Sequence, residues 1–138
     1  MFLKKYQIKV VNALKQFLQT ARDTKTSFDI AKQALPENMR HTLNWVLTAF
    51  QTCGLEYKDR CTNGLGNNYP CIVIKVPTGG GKTLLAVESI REYQNLFAQK
   101  RTGLVVWIVP SETIYSQTVQ KIRDKGNPLR QLLDQCSG

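Results

Sequence analysis

Apolar residues in the first half of the chain recur at the spacing of a helix face. Between residues 5 and 21 they lie three or four positions apart, which predicts an amphipathic helix with an apolar stripe. The stripe consists of Ile8, Val11, Leu14, Leu18 and Ala21. A second helical segment is predicted over residues 27–35, because the residue before Pro36 disfavours helical backbone angles.

A third helix is predicted between His41 and Cys53, and its apolar face consists of Leu43, Val46, Leu47 and Phe50. The pattern then gives way to residues 54–70, GLEYKDRCTNGLGNNYP, which hold three glycines, three asparagines and a proline. Such a composition favours a surface loop or linker. We therefore expect residues 1–70 to form an N-terminal helical region with a loop.

The second half alternates between short β-branched runs and helical patterns. CIVIKV at residues 71–76 and GLVVWIV at residues 103–109 are typical of buried parallel strands. TLLAVESIREYQNLFAQK, between them, has helical spacing, and a further helix is predicted from about Glu112 to Lys125. Strand, helix, strand, helix predicts an α/β class with a parallel sheet over residues 71–138.

Composition narrows the function classes. The 138 residues suffice for one ordinary domain core, and no apolar run exceeds six residues, so we expect a cytoplasmic protein without a membrane span. The net charge of +9 suggests a polyanionic partner such as a nucleic acid, although a solvated basic surface explains the charge as well.

The cysteines do not have the spacing of a zinc site. Cys53, Cys61, Cys71 and Cys136 include no C-x2-C pair, and His41 is the only histidine. Cys71 opens an apolar run and is expected to be a small core residue. The others are expected to be free thiols, with a Cys53–Cys61 disulfide as the open alternative.

The segment VPTGGGKT at residues 76–83 carries the clearest chemistry. A phosphate chain needs donors at close range, and a backbone approaches that closely only where side chains are absent. Gly79, Gly80 and Gly81 allow positive φ angles and inward-pointing N–H groups at the start of a helix. Lys82 then supplies a mobile positive charge, and the Thr83 hydroxyl is a ligand for Mg²⁺. The alternative is a glycine-rich turn with an incidental lysine.

The segment departs from the strict G-x-x-x-x-G-K-[ST] pattern, since Val76 stands where the first glycine belongs. VPTGGGKT instead resembles motif I of superfamily 2 helicases, A-x-T-G-x-G-K-T. The resemblance implies a P-loop NTPase fold with a partial RecA-like sheet. It also implies nucleotide binding by residues 78–83, with Lys82 as the catalytic residue, and this set is Thr78, Gly79, Gly80, Gly81, Lys82 and Thr83.

Two further stretches resemble elements of the same helicases. LKKYQ at residues 3–7 is similar to the L-x-x-Y-Q element upstream of motif I, which implies that Gln7 lies near the adenine. LVVWIVPSETIYSQ at residues 104–117 is similar to motif Ia, which faces the nucleic-acid backbone. That resemblance implies nucleic-acid contacts by Pro110, Ser111, Glu112 and Gln117. Ser111 is also predicted to cap a helix, and the plain alternative is that Ser111 only caps and Gln117 faces water.

Within superfamily 2, the combination is most similar to the Res subunit of type III restriction enzymes and related DEAD/DEAH-like helicases. The resemblance covers residues 3–7 and about 71–125, and no family signature is visible over residues 20–70. It implies ATP and Mg²⁺ as cofactors. DNA is the implied partner, with RNA as an alternative, together with a modification methyltransferase subunit.

The carboxylates that such a motor needs for hydrolysis have no match. After Pro110 the carboxylates are Glu112, Asp124 and Asp134, and none of them follows an apolar strand. We therefore expect the N-terminal portion of a larger motor, which binds ATP but hydrolyses it very slowly or not at all. An unpaired sheet edge further predicts self-association.

Two alternatives belong to other classes of protein. One is a small P-loop kinase or NTPase that acts on a metabolite. The other is a nucleotide-binding or interaction module without catalysis.

Overall fold

The structure is a computed structural model that describes residues 3–58 and 62–135. These residues form two compact units, one from the described residues between 12 and 75 and the other from residues 3–11 together with residues 76–135. The boundary at residues 11 and 12 falls within the first helix, so the start of that helix belongs to the same unit as the glycine loop.

Five α-helices account for most of the regular structure in the described ranges. They are α1 (Lys5–Ala34), α2 (Trp45–Thr52), α3 (Lys82–Glu92), α4 (Glu112–Arg123) and α5 (Pro128–Asp134). A 3₁₀ helix covers Glu37–Thr42, and a π-helical turn, Tyr93–Ala98, continues α3. No helix among the described residues is long and apolar enough to cross a membrane.

Helix α1 joins the first two predicted helices into a single element of 30 residues. The polar stretch between them stays helical with support from local contacts, including an ion pair between Lys25 and Asp29 one turn apart. The Thr26 hydroxyl also donates to the Arg22 carbonyl at 3.0 Å. The helix ends at Ala34, two residues before Pro36, as the sequence predicts.

The unit of residues 12–75 has an aromatic core between α1 and α2. The rings of Phe17 and Phe50 pack edge to face with centroids 4.8 Å apart, and Tyr57 packs against Phe50 at 5.8 Å. Asn44 caps α2, because its side-chain oxygen accepts from the Leu47 N–H at 3.1 Å. The Asn44 amide also donates to the Tyr57 hydroxyl at 2.8 Å, which fixes the ring against the core.

The other unit buries a smaller apolar cluster. Leu84 and Val87 of α3 pack with Leu129 of α5, and Trp107 covers the cluster as a partly buried residue. Helix α5 was not predicted, although Asn127 and Pro128 are strong start signals: the Asn127 side chain accepts from the Leu129 N–H, and Pro128 occupies the first turn.

The predicted parallel sheet, and with it the α/β class, is wrong. The described residues contain no β-strand, and their single isolated bridge joins Thr62 and Asn68 in the predicted loop. Residues 71–76 and 103–109 form no ladder. A parallel strand is buried on both faces by neighbouring elements, whereas Val73 is 75% exposed here. β-branched composition favours an extended backbone, but pairing requires neighbouring strands, which local sequence does not specify.

Cys53 and Cys71 are free cysteines, and Cys71 is exposed rather than part of a core. Cys61 and Cys136 lie outside the described residues, as does the proposed Cys53–Cys61 pairing. Among the residues that the structure describes, no group of three or more His, Cys, Asp or Glu side chains is arranged to hold a metal ion.

Candidate phosphate-binding loop

The three glycines form a tight turn that leads directly into α3. Gly79 and Gly81 have φ angles of 73° and 76°, in the left-handed region predicted for the glycine loop. Gly80 between them does not have a positive φ, so the sign alternates along the turn. Alternating signs of φ bring successive N–H groups toward one side of the backbone and form a concavity suited to an anion.

Two of the glycines also have no room for a side chain. A Cβ atom at Gly80 would lie 2.7 Å from the Pro77 carbonyl oxygen, and one at Gly81 would lie 2.5 Å from the Gln7 side-chain nitrogen. Gly79 faces open space, so only its φ angle requires glycine. The triplet therefore combines two different constraints, backbone conformation and close approach.

The first turn of α3 presents unpaired backbone donors. Helix α3 begins at Lys82 with Gly81 as its N-cap, and the first bond back to the loop runs from the Leu85 N–H to the Gly81 carbonyl at 3.0 Å. Within residues 3–58 and 62–135, the N–H groups of Lys82, Thr83 and Leu84 have no acceptor. In contrast, the Gly80 N–H is occupied, because it donates to the Pro77 carbonyl at 2.9 Å.

These free donors lie at the positive end of the α3 dipole, which is the usual position for a bound phosphate. The Lys82 side chain next to them is accessible, and no ion pair involves it in the described part of the chain. Thr83 lies in the same turn and is half-buried. The loop therefore provides backbone donors, a mobile cation and a hydroxyl within three consecutive residues.

Two side chains at the start of α1 form hydrogen bonds with the glycine loop. The Gly80 carbonyl accepts two hydrogen bonds, one from the Tyr6 hydroxyl at 2.8 Å and one from the Gln7 side-chain amide at 3.0 Å. Gln7 is buried, with 4% of its surface exposed. Its carbonyl oxygen also accepts from the Lys4 N–H at 2.8 Å, so the same carboxamide caps α1 and binds the loop.

The structure thus brings Gln7 to the glycine loop as a loop-positioning residue, and its place beside an adenine stays a prediction. One N–H of its amide has no partner among the described residues. Tyr6 was not singled out from the sequence. The signal was available, since Tyr6 is the aromatic residue of the LKKYQ element that precedes Gln7.

The four residues predicted to contact nucleic acid lie around the start of α4. Pro110, Ser111, Glu112 and Gln117 are all exposed. Ser111 caps the helix as predicted, with its hydroxyl oxygen 3.4 Å from the Ile114 N–H. One backbone donor of this helix is therefore engaged internally, while the side chains of Glu112 and Gln117 stay accessible.

A family model described as "Type III restriction enzyme, res subunit" matches residues 1–133. The chain therefore belongs to the family of type III restriction enzyme res subunits. The match includes residues 20–70, where no signature was visible in the sequence. Searches among curated proteins and among solved structures find no match to this chain.

Proposed function

We propose that this chain is the ATP-binding segment of an ATP-dependent DNA helicase or translocase, the restriction subunit of a type III restriction-modification system. The glycine turn before α3 supports this proposal best. The sign of φ alternates along the turn, and within the described ranges the backbone N–H groups of Lys82, Thr83 and Leu84 have no acceptor. Family membership supports the proposed class of motor, and the turn supports the proposed location of the nucleotide.

In this proposal the triphosphate of ATP lies against the first turn of α3. The backbone donors and the Lys82 ammonium group neutralise its negative charge, and the Thr83 hydroxyl is a ligand for Mg²⁺. Bound Mg²⁺ would neutralise further charge on the phosphate oxygens. Thr78 belongs to the same loop, and Gln7 orients that loop through the Gly80 carbonyl.

We further propose that the chain binds ATP without appreciable hydrolysis. Of the three carboxylates that follow Pro110, Asp124 accepts from the Gly126 N–H at 2.9 Å and Asp134 pairs with Arg130 at 2.7 Å. Glu112 lies on the exposed start of α4. The residues that follow Pro110 therefore provide no acidic pair of the kind that positions Mg²⁺ and activates water.

DNA is the proposed nucleic-acid partner, on the surface formed by Pro110, Ser111, Glu112 and Gln117. The net charge of +9 favours binding to a phosphate backbone, since neutralising phosphates releases counterions. A modification methyltransferase subunit is the proposed protein partner, as for res subunits in general.

Calorimetric titration with ATP and Mg²⁺ tests the nucleotide proposal. Replacing Lys82 with alanine removes a charge-assisted contact of about 1.5–3 kcal/mol, which corresponds to a roughly 10- to 150-fold weaker affinity. Lys125→Ala is the matched control, because it removes the same charge from an exposed position after α4. We expect the control to change the affinity less than about twofold. Absence of binding heat in the unmodified chain would refute the proposal.

A further inference from the structure

Residues 103–110 form an extended segment whose two faces differ. On one side, Trp107 packs against the cluster of Leu84, Val87 and Leu129, whereas Val105 on the same side is 48% exposed. On the other side, Leu104 is 93% exposed, Val106 is 74% exposed and Ile108 is 88% exposed. Exposure therefore alternates along the segment with the period of a strand, and the helices partly cover the less exposed face.

The backbone of this segment is also unpaired. In the described ranges, no hydrogen bond involves the main-chain N–H or C=O groups of residues 103–110. An extended segment with a row of free donors and acceptors is a template for pairing with another chain. Proteins usually protect such an edge with a charged side chain, a bulge or a covering element, whereas residues 104–109 are all apolar.

We propose that residues 103–109 pair in an antiparallel ribbon with the same residues of a second copy of this chain, across a two-fold axis at Val106. A two-fold interface is self-complementary, so one exposed edge on each copy is sufficient to close it. This interaction is separate from nucleotide binding and does not depend on it.

The exposed face fixes the register of this pairing. Directly opposite residues in a ribbon point to the same face, so the axis must pass through a residue rather than between two residues. With the axis at Val106, Leu104 lies opposite Ile108 of the second copy, and the two Val106 side chains lie opposite each other. An axis at Val105 would place Leu104 opposite Val106 and Thr102 opposite Ile108, which loses one apolar pair.

Charges at the two ends of the segment favour the antiparallel direction. Lys100 and Arg101 precede the segment and Glu112 follows it, and all three side chains are exposed. Antiparallel pairing brings the basic end of one copy to the acidic end of the other at both ends of the ribbon. Parallel pairing would place like charges together. Pro110 has no N–H to donate, so the ribbon ends there.

Cysteine cross-linking tests the register directly. The background is the full chain with its four natural cysteines replaced by serine. Opposite residues in a ribbon have Cα atoms about 4.5–5.5 Å apart, within the range that a disulfide spans. We therefore expect Val106→Cys to form a disulfide-linked dimer under mild oxidation. Leu104→Cys alone should not form this dimer, because the two Leu104 positions of the proposed ribbon are separated by four residues, or about 13 Å, along the strands.

A mixture of the Leu104→Cys and Ile108→Cys chains completes the test, since these positions lie opposite each other. We expect a cross-linked heterodimer at a yield similar to that of Val106→Cys. If Leu104→Cys cross-links with itself as efficiently as Val106→Cys does, or if none of the three samples cross-links, the proposed ribbon is wrong.

Sedimentation at increasing concentration provides an independent measurement without cysteines. Val106→Lys places a charge at the centre of the ribbon, and we expect at least a tenfold loss of self-association. Leu65→Lys is the matched control, because Leu65 is 85% exposed and lies outside the segment. Equal self-association in the two variants, or a monomeric unmodified chain at all concentrations, would overturn the proposal.

Discussion

Replacing Gly81 with alanine should destabilise the chain more than the same change at Gly79. Both glycines have positive φ, and an L-residue in that conformation costs about 1–2 kcal/mol. At Gly81 the new Cβ would also lie 2.5 Å from the Gln7 side-chain nitrogen, so the buried carboxamide must move away from the Gly80 carbonyl. Losing that contact adds about 1–2 kcal/mol for a buried group left unpaired.

The expected losses in the free energy of unfolding are therefore about 2–4 kcal/mol for Gly81→Ala and about 1–2 kcal/mol for Gly79→Ala. Gly79→Ala is a close control, because a Cβ atom at Gly79 would meet nothing within 4 Å and only the backbone strain remains. Urea unfolding followed by circular dichroism measures both values on the same baseline.

A double variant separates strain from the side-chain clash. Gln7→Ala removes the group that the Gly81→Ala methyl would displace, so the two changes together should cost clearly less than the sum of their separate effects. If Gly81→Ala is no more destabilising than Gly79→Ala, or if the two changes are additive, then Gln7 does not hold the loop in the way that the structure indicates.

Three further substitutions test the packing, each by urea unfolding against the unmodified chain. Phe17→Ala should lower the free energy of unfolding by about 3–5 kcal/mol, because Phe17 is only 2% exposed. Ile30 lies on the same helix but is 65% exposed, so Ile30→Ala should change that free energy by no more than about 0.5 kcal/mol. Equal effects of the two substitutions would contradict the assigned core. Asn44→Ala should lower the free energy of unfolding by about 1–2 kcal/mol, because it removes the cap of α2. It should also change the tyrosine fluorescence, because the Tyr57 hydroxyl loses its hydrogen bond from Asn44. An unchanged free energy of unfolding would show that the cap is not formed. Arg91→Ala should lower the free energy of unfolding by about 3 kcal/mol, because it removes the cation that pairs with the buried carboxylates of Glu88 and Glu92. A loss below about 1 kcal/mol would show that these carboxylates are exposed to water.

The helices were largely predictable because their signals are local. Apolar spacing located α1, α2 and α3, and Ser111 and Pro36 marked a helix start and a helix end. The length of α1 was underestimated, since the polar residues 22–26 interrupt the apolar stripe without interrupting the hydrogen-bonded backbone. Helix α5 was missed because its 7 residues are too few to show a clear period, despite its start signals.

The sheet could not be inferred in the same way, because strand pairing is not a local property. The β-branched runs around Val73 and Val106 do lack helical structure, as their composition favours. Whether such a run becomes a strand depends on partners elsewhere, and in the described residues neither run has one. The sequence indicated a preference for extended backbone but not the hydrogen bonds that would complete it.

In the candidate site, too, the local sequence pattern was predictable and the long-range contact was not. The glycine triplet and Lys82 were visible as a contiguous pattern, and the turn geometry agrees with the positive φ values expected of it. The contact between Gln7 and Gly80 joins residues 73 positions apart. The sequence indicated both residues through resemblance, but only the structure shows that one binds the other.

An amide-resolved NMR titration of the chain with ATP and Mg²⁺ tests the phosphate-binding loop most directly. If the first turn of α3 binds the triphosphate, the amide resonances of Lys82, Thr83 and Leu84 should shift most, and inorganic triphosphate should shift the same signals. The Gly80 amide, which already donates to the Pro77 carbonyl, should shift less. Saturating nucleotide that leaves these three amides unchanged, or that shifts only signals elsewhere, would contradict the phosphate-binding loop.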